Sequence, residues 1–495
     1  MKRVYIIIFA GLMMLGCDDF LEVTPETSFV PATFFDTENE IERGIAGIYR
    51  LNRSMNASRQ WRFGENRSDN SSFQFNPQDR GGQLQEALDE FLMTADNPNI
   101  SNYWNDLYNG VGRANYVLEN IDAVRFSSNT VKEQRRGEAL FLRSWFYFNL
   151  VRNWGGVPYV TSTFETLDES LGDEFTQRVN IDVVYDSILN DAQQAIDALP
   201  VSWDEDNVGR ATRGAALMLK AKMHMARREY PEAIPLLEEM TTLGYELLDS
   251  YESVFNPDNK NHAESVFELQ YSFALGQSSN FLSNFVPFNS GGDLLDFGAQ
   301  ASSRAGQNQP TTDLIETYEE GDIRRDVTIA YYSLTETDSI PFLNKYNYPF
   351  LDVNAQDVNW QMFRYADALL MLAECLNEVN GFDQNAIGIV NVIRLRAGLP
   401  PLSDAGANPE LVIATAEDLS AAIAKERRLE LAFENHRWFD LVRRGEAVDV
   451  MTAHGLREIS EKTTVLSGAY TNIRTDLGIP SNQVLQFGLD QNIGW

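Results

Sequence analysis

The sequence predicts a mostly α-helical protein, a tetratricopeptide-like scaffold of helix pairs that also carries an irregular, loop-rich ligand-binding region. Three observations predict it. Apolar residues recur at steps of three and four through many separate segments. Two stretches, 212–243 and 363–397, each have the length and break of a helix–turn–helix unit. Two other stretches, 52–82 and 245–358, are polar and irregular yet rich in aromatic rings, which points to binding loops rather than connectors.

Composition sets the outer limits. At 495 residues, 43% apolar and 11% aromatic, the chain can bury a large core and is globular. It holds 72 acidic and 40 basic side chains, a net charge of −32. That field repels nucleic acid, and no basic stripe opposes it. It favours solubility and is silent about fold. The two cysteines, Cys17 and Cys375, offer no disulfide framework. Cys375 lies in the apolar run 369–376 and reads as a small buried hydrophobe.

The chain opens with Met1-Lys2-Arg3, then thirteen uncharged residues, 4–16. This suits a signal-peptide core and is too short to span a bilayer. Residues 12–17 resemble a lipobox, so 1–16 are expected to be a lipoprotein signal peptide and Cys17 the lipidated first residue of the mature chain. The competing reading is an ordinary signal peptide with an incidental cysteine. Loss of Lys2 and Arg3 would take the net charge to −34. Three acyl chains on Cys17 would anchor the protein stably, with 17–37 as its tether. No later stretch approaches eighteen apolar residues, so no membrane-spanning helix is expected.

Thr37 with Glu40 three residues on is a capping box, opening a helix over 37–51. Residues 52–82 break the period and read as a long loop holding Trp61, Phe63, Phe73 and Phe75. Helical spacing resumes at Tyr103 with Trp104, Leu107, Val111, Ala114 and Leu118. A helix over 131–153 stops at Gly155-Gly156-Val157-Pro158. Another covers 181–199. Thr212 caps the first helix of a pair over 212–243, and Pro231 sits in the first turn of the second. Residues 245–358 are the exception. Residues 266–271 alternate like a strand, and a Ser/Asn/Gly-rich run follows, holding Phe273, Phe281, Phe285, Phe288 and Phe297. The expected organisation is a helical region over 38–244, an irregular ligand-binding insertion over 245–358, and a helical C-terminal region over 359–495.

Residues 425–444, KERRLELAFENHRWFDLVRR, mix charges and large rings on all sides. An ordinary surface helix segregates them. Such a segment can be buried only if its charges are paired. Local pairs are available by spacing: Arg427 with Glu430, Arg437 with Asp440, and Asp440 with Arg443 or Arg444. Arg427, Glu430, Glu434, Arg437, Trp438 and Asp440 are therefore expected to form a structural hub.

Sugar faces are apolar on the C–H side and polar at the rim, so a binder needs ring platforms beside hydrogen-bonding groups. Trp61, Arg62, Asp69, Asn70 and Phe73 supply both within a short stretch, and Phe281 and Phe285 add rings from the insertion. The competing reading is that the rings anchor loops to the scaffold; it suits the phenylalanines better, because they have no polar edge. Catalytic patterns are missing. His224, His262, His436 and His454 show no metal-ligand spacing, and no phosphate loop or nucleophile elbow occurs. Gly110-Val111-Gly112 lacks the third glycine of a dinucleotide loop. The acidic turn from Asp204 has Ala215 where a calcium loop needs glutamate. No catalytic residue, metal or cofactor is expected. A glycosidase needs only two carboxylates, and no particular pair presents itself.

The string Glu426-Arg427-Arg428-Leu429-Glu430-Leu431-Ala432-Phe433-Glu434, followed by His436-Arg437-Trp438-Phe439-Asp440-Leu441, resembles the C-terminal signature of the SusD/RagB family. Tyr103-Trp104 through Asn115, 137–143, Gly209-Arg210-Ala211-Thr212, 364–367, 394–399, Ile479-Pro480 and Gln491-Asn492 resemble its other landmarks in order. The chain ends Gly494-Trp495 where many members have Gly-Tyr. The resemblance implies four tetratricopeptide-like units with a ligand-binding region on one side. It implies capture of glycan at the outer face of the outer membrane, where Asp18 and Asp19 after Cys17 accompany surface display. It implies a SusC-like TonB-dependent barrel as partner, and no enzymatic activity. Family members often place ligand contacts in the early loop and the middle insertion, without a shared residue motif. The alternatives are a surface glycoside hydrolase and a sugar-independent helical-repeat interaction scaffold.

Overall fold

A computed structural model describes residues 35–163, 172, 176–335, 339–403 and 411–495. The leader, Cys17 and most of the tether lie outside the described residues. The first helix, α1, is Glu38–Met55. The Glu40 carboxylate accepts the Thr37 backbone N–H at 2.8 Å and closes its start. Helix α2, Pro98–Asn120, begins one turn earlier than the apolar period, because Asn97 accepts the Asn99 N–H at 2.9 Å and Pro98 takes the first turn. Helix α3, Asn129–Trp154, is capped by Ser128 accepting from the Val131 N–H at 3.1 Å, and ends at Gly155 with φ +73°.

Next come α4 (Ile181–Ala198), α5 (Arg213–Ala226) and α6 (Tyr230–Met240). The C-terminal region holds α7 (Tyr365–Asn380), α8 (Gln384–Arg396), α9 (Ala416–Glu430), α10 (Arg437–Arg444) and α11 (Ala447–Glu461). Each helix from α2 to α8 packs on its predecessor, α6 meeting α7 across the whole insertion, and α9 packs on α7 and α8. This is a stack of helix pairs around one main core running from Phe35 to Leu489. Helix α3 is buried from Gly137 through Val151, as a helix with neighbours on all sides must be. Gly110 of α2 permits a close approach of α3: a Cβ there would lie 2.5 Å from the Phe146 ring.

The expectation of a long loop over 52–82 is corrected. Helix α1 runs to Met55 and continues through a π-helical turn, Asn56–Gln60, into a helical turn, Trp61–Gly64. Residues 63–72 are then buried throughout. Polar backbone can be interior here because side chains and neighbouring segments pair with it.

Residues 245–358 carry more regular structure than the sequence suggested. Strand β1 (Ser71–Ser72) pairs with β3 (Gln309–Pro310), β2 (Ser265–Leu269) with β6 (Trp360–Arg364), and β4 (Ile329–Ser333) with β5 (Ser339–Leu343), all antiparallel. The β2–β6 pair enters the main core through Phe267 and Phe363, whose ring centroids are 6.2 Å apart. The outer part of the insertion has a small core of its own, built on Leu282, Val286, Leu295, Phe342 and Phe350.

Candidate functional site

Glu65 organises the centre of the molecule. Its carboxylate accepts the backbone N–H groups of Phe433 at 2.9 Å and Asn435 at 3.2 Å, holding both in left-handed backbone at φ +64° and +70°. Burial pushes the Glu65 carboxyl up to about 7, against the pull of these donors and of Asn70.

Around that turn lies a buried ion network. The Arg364 fork on β6 donates to Glu434 at 2.6 and 3.0 Å, to Glu430 at 2.6 Å and to Glu264 at 2.9 Å. Lys345 meets Glu434 at 2.8 Å, and Arg324 meets Asp322 at 2.7 Å and Glu426 at 2.5 Å. Burial alone would raise Glu430, yet Arg396, Arg364 and Arg324 hold it well below the usual carboxylate range. The expected local pairing is corrected at two points. Arg427 reaches Asp367 at 2.9 Å and Asp440 at 3.1 Å rather than Glu430, and Arg437 reaches Asp69 rather than Asp440. Asp440 does meet Arg443 at 2.8 Å, three residues on. A buried guanidinium needs several planar acceptors at once, and only other segments supply them in the right geometry. Trp438 is fully buried, with the Arg67 guanidinium 4.3 Å from its ring centroid.

The residues proposed for ligand contact fall mostly into this interior, and that expectation is corrected. Trp61 is 1% exposed and meets Phe285 edge-to-face, centroids 5.2 Å apart. Phe281 is equally buried, among Tyr271, Tyr346 and Trp360. A ring so enclosed has no face for a sugar. Asp69 accepts two bonds from Arg437 and one from Arg428, and Asn70 joins Glu65 to Arg428. Arg62 is half-buried, lies 5.0 Å over the Trp61 ring and donates to Asn99 at 2.8 Å. Phe73 alone of the proposed rings keeps accessible surface.

What faces solvent is a seam between the early segment and the insertion. Gln74 donates to Asn289 at 3.0 Å, accepts from the Phe288 N–H at 2.9 Å, and its own N–H bonds Gly306 O at 2.8 Å. Asn76 donates to Ser303 O at 2.9 Å. The half-buried rings of Phe73, Phe75 and Phe288 border this seam. Beyond it, Phe297 is 58% exposed on a turn at φ +58°. Gln300, three residues on, folds over Gly291 and Gly292; a Cβ on Gly292 would lie 2.6 Å from its amide. Asp293 is engaged by the Tyr332 hydroxyl at 2.6 Å and Asp296 by the Phe350 N–H at 3.2 Å. The seam thus joins ring faces to amides, with its acids held by neighbours. That mixture can stack on and hydrogen-bond a neutral sugar.

The exposure of Phe297 has a local signal in the sequence. Phe281 precedes Leu282 and Phe285 precedes Val286, and both rings go inside. Phe297 stands between Asp296 and Gly298, and Phe73 between Ser72 and Gln74. Arg324, Lys345 and Glu264 left no such trace, because their long-range partners lie on α9 and the turn after it for the two cations and on β6 and α8 for Glu264. Among the described residues no group of three acidic, histidine or cysteine side chains is placed to hold a metal ion.

Comparison with known proteins places this architecture. Residues 19–225 match a family model described as starch-binding and associating with the outer membrane, and residues 339–476 match the SusD family model. SusD-like protein P38 of Formosa agariphila is 29% identical over 483 residues, covering 90% of this chain and 92% of its own. SusD-like protein P25 of the same organism is 27% identical over 495 residues, 91% of each. Among solved structures, a laminarin-binding SusD-like protein superposes with a TM-score of 0.75 at 25% identity, covering 93% of this chain and all (100%) of the other. Surface glycan-binding protein A from Bacteroides thetaiotaomicron shares the fold, with a TM-score of 0.73 at 21% identity over 93% of this chain and 100% of that one.

Proposed function

Because the chain belongs to the SusD/RagB family, we propose that it captures a glycan at the seam between the early segment and the insertion, without cleaving it, and passes it to a SusC-like TonB-dependent outer-membrane barrel. The observation that carries this reading is Phe297, an exposed ring just beyond a seam whose amides are bonded down on both sides. Rigidity matters, because a loop ordered only on binding would lose affinity to entropy. The name of the laminarin-binding neighbour favours a neutral glucan, and the net charge of −32 agrees by disfavouring polyanions. Attachment through Cys17 would hold the site at the membrane surface. Binding without cleavage is supported by the descriptions of its relatives, which speak of starch and laminarin binding.

Affinity electrophoresis of the full chain against a panel of neutral and acidic polysaccharides tests this. At least one neutral polysaccharide should retard the protein and be recovered at its original length. Phe297→Ala should abolish the retardation without lowering the melting temperature. Retardation by none of the panel, shortened polysaccharide, or unchanged retardation in a Phe297→Ala/Phe73→Ala variant would each defeat the reading.

A further inference from the structure

Arg152, near the end of α3, has no carboxylate partner among the described residues. Its Nη2 donates to Asn149 Oδ1 at 2.6 Å, while its Nε has no partner there. The rings of Phe439, Phe148 and Trp145 surround the guanidinium, with centroids 3.6, 4.9 and 5.3 Å away. Burial pushes it down to about 10. Even half-buried, a cation without a counter-ion is costly despite ring contacts. In a chain with 72 acids, a partner could readily have been supplied.

Arg67 shows the purely structural form of this arrangement. It too lacks a bonded carboxylate and lies over rings, but it is sealed and donates to the carbonyls of Arg474 and Thr475. Arg152 instead lines a cavity of about 350 Å³ between α3, α4, α5 and α10. That size suits a small ligand. Most other charges there are paired: Arg227 meets Asp186 and Glu229, while Arg228 at the edge donates to the Arg443 carbonyl. Lys222 is bonded to Asp367 at 2.5 Å, and Asp440 is shared by Arg427 and Arg443. His436 is held neutral, pushed down to about 3 by burial. Asp182 and Asp476 stand exposed at the rim. Apolar wall is supplied by Phe148, Tyr185, Met225 and Phe439, and the Asn435 amide, unpartnered among the described residues, adds a polar group.

We propose that this cavity binds a small organic carboxylate, its apolar body against Phe148, Tyr185 and Phe439 and its carboxylate on the outer Nη edge of the Arg152 guanidinium. None of the lining residues belongs to the early segment or the insertion, so the site is separate from the glycan seam and does not rest on it.

Benzoate and its neutral counterpart benzyl alcohol are suitable probes, titrated calorimetrically into the full chain in detergent. Benzoate should bind saturably at one site, and benzyl alcohol at least about tenfold more weakly, since a hydrogen bond to a charged group is worth that much. Arg152→Gln should weaken benzoate by about the same factor. Ile181→Trp, at the partly exposed mouth, should also weaken it while leaving the guanidinium and the core intact. Polysaccharide retardation should be unaffected by either change. No saturable benzoate binding, equal binding of benzyl alcohol, or unaltered benzoate affinity in Ile181→Trp would overturn the proposal.

Discussion

Asp69 and Arg437 are joined by two parallel hydrogen bonds, 2.7 Å from Nε and 2.9 Å from Nη2, across 368 residues of chain. Arg428 adds a third contact to Asp69 at 3.0 Å. All three side chains are largely enclosed, so the early segment and the C-terminal hub are one piece of interior. Removing one partner strands the other charge in low dielectric. Asp69→Ala should cost about 3–5 kcal/mol by chemical denaturation. Adding Arg437→Met should cost clearly less than the sum of the two single changes. Strict additivity would show that the pair is not coupled.

The same network sets the response to acid. Burial alone would raise Asp69, Asp367, Glu430 and Asp440, yet neighbouring arginines and Lys222 hold all four well below the ordinary range. A depressed folded pKa contributes stability above the unfolded value, near 4, and that stability is lost as pH falls. The melting temperature should drop steeply from about pH 4 downwards, and less steeply in Asp69→Ala. Parallel curves for the two proteins would contradict this.

Glu65 acts with the opposite sign. Its folded pKa is raised to about 7, so its contribution is complete below the unfolded value and fades as pH rises through the folded one. Stability should therefore decline between about pH 5 and 8, by roughly 3 kcal/mol at most from this group. Glu65→Gln should flatten that decline, whatever its cost at pH 5. An unchanged slope in the variant would assign the decline to other groups.

Two glycines on α2 should behave oppositely. A methyl at Gly110 would press on the Phe146 ring at 2.5 Å, whereas nothing lies within 4 Å of one at Gly112. Gly110→Ala should destabilise by about 1–3 kcal/mol. Gly112→Ala should stabilise by roughly 0.5–1 kcal/mol through helix propensity. Thermal melts of the two variants decide the matter, and a shift in the same direction would refute the α2–α3 contact.

Trp61 and Phe297 separate folding from binding. Trp61→Ala should cost about 3–5 kcal/mol, because it empties a core position against Phe285. Phe297→Ala should change stability by less than about 0.5 kcal/mol, because the ring is mostly in solvent. Retardation by polysaccharide, measured well below the melting point, should be lost in Phe297→Ala and kept in Trp61→Ala. The reverse pattern would move the site inward.

The sequence by itself determined the helical class, most helix positions, and the caps at Thr37 and Thr212, because periodicity and capping act over a few residues. It also contained the signature around 426–441, although not the partners its charges would take. Only the tertiary structure decided that Trp61, Phe281 and Phe285 are interior while Phe297 is not, and that Asp69 and Asn70 serve the hub. The reason is physical: a ring or carboxylate in an irregular segment is buried or exposed according to what meets it from far along the chain. Phe285 for Trp61 and Arg437 for Asp69 are such encounters, and no local spacing encodes them.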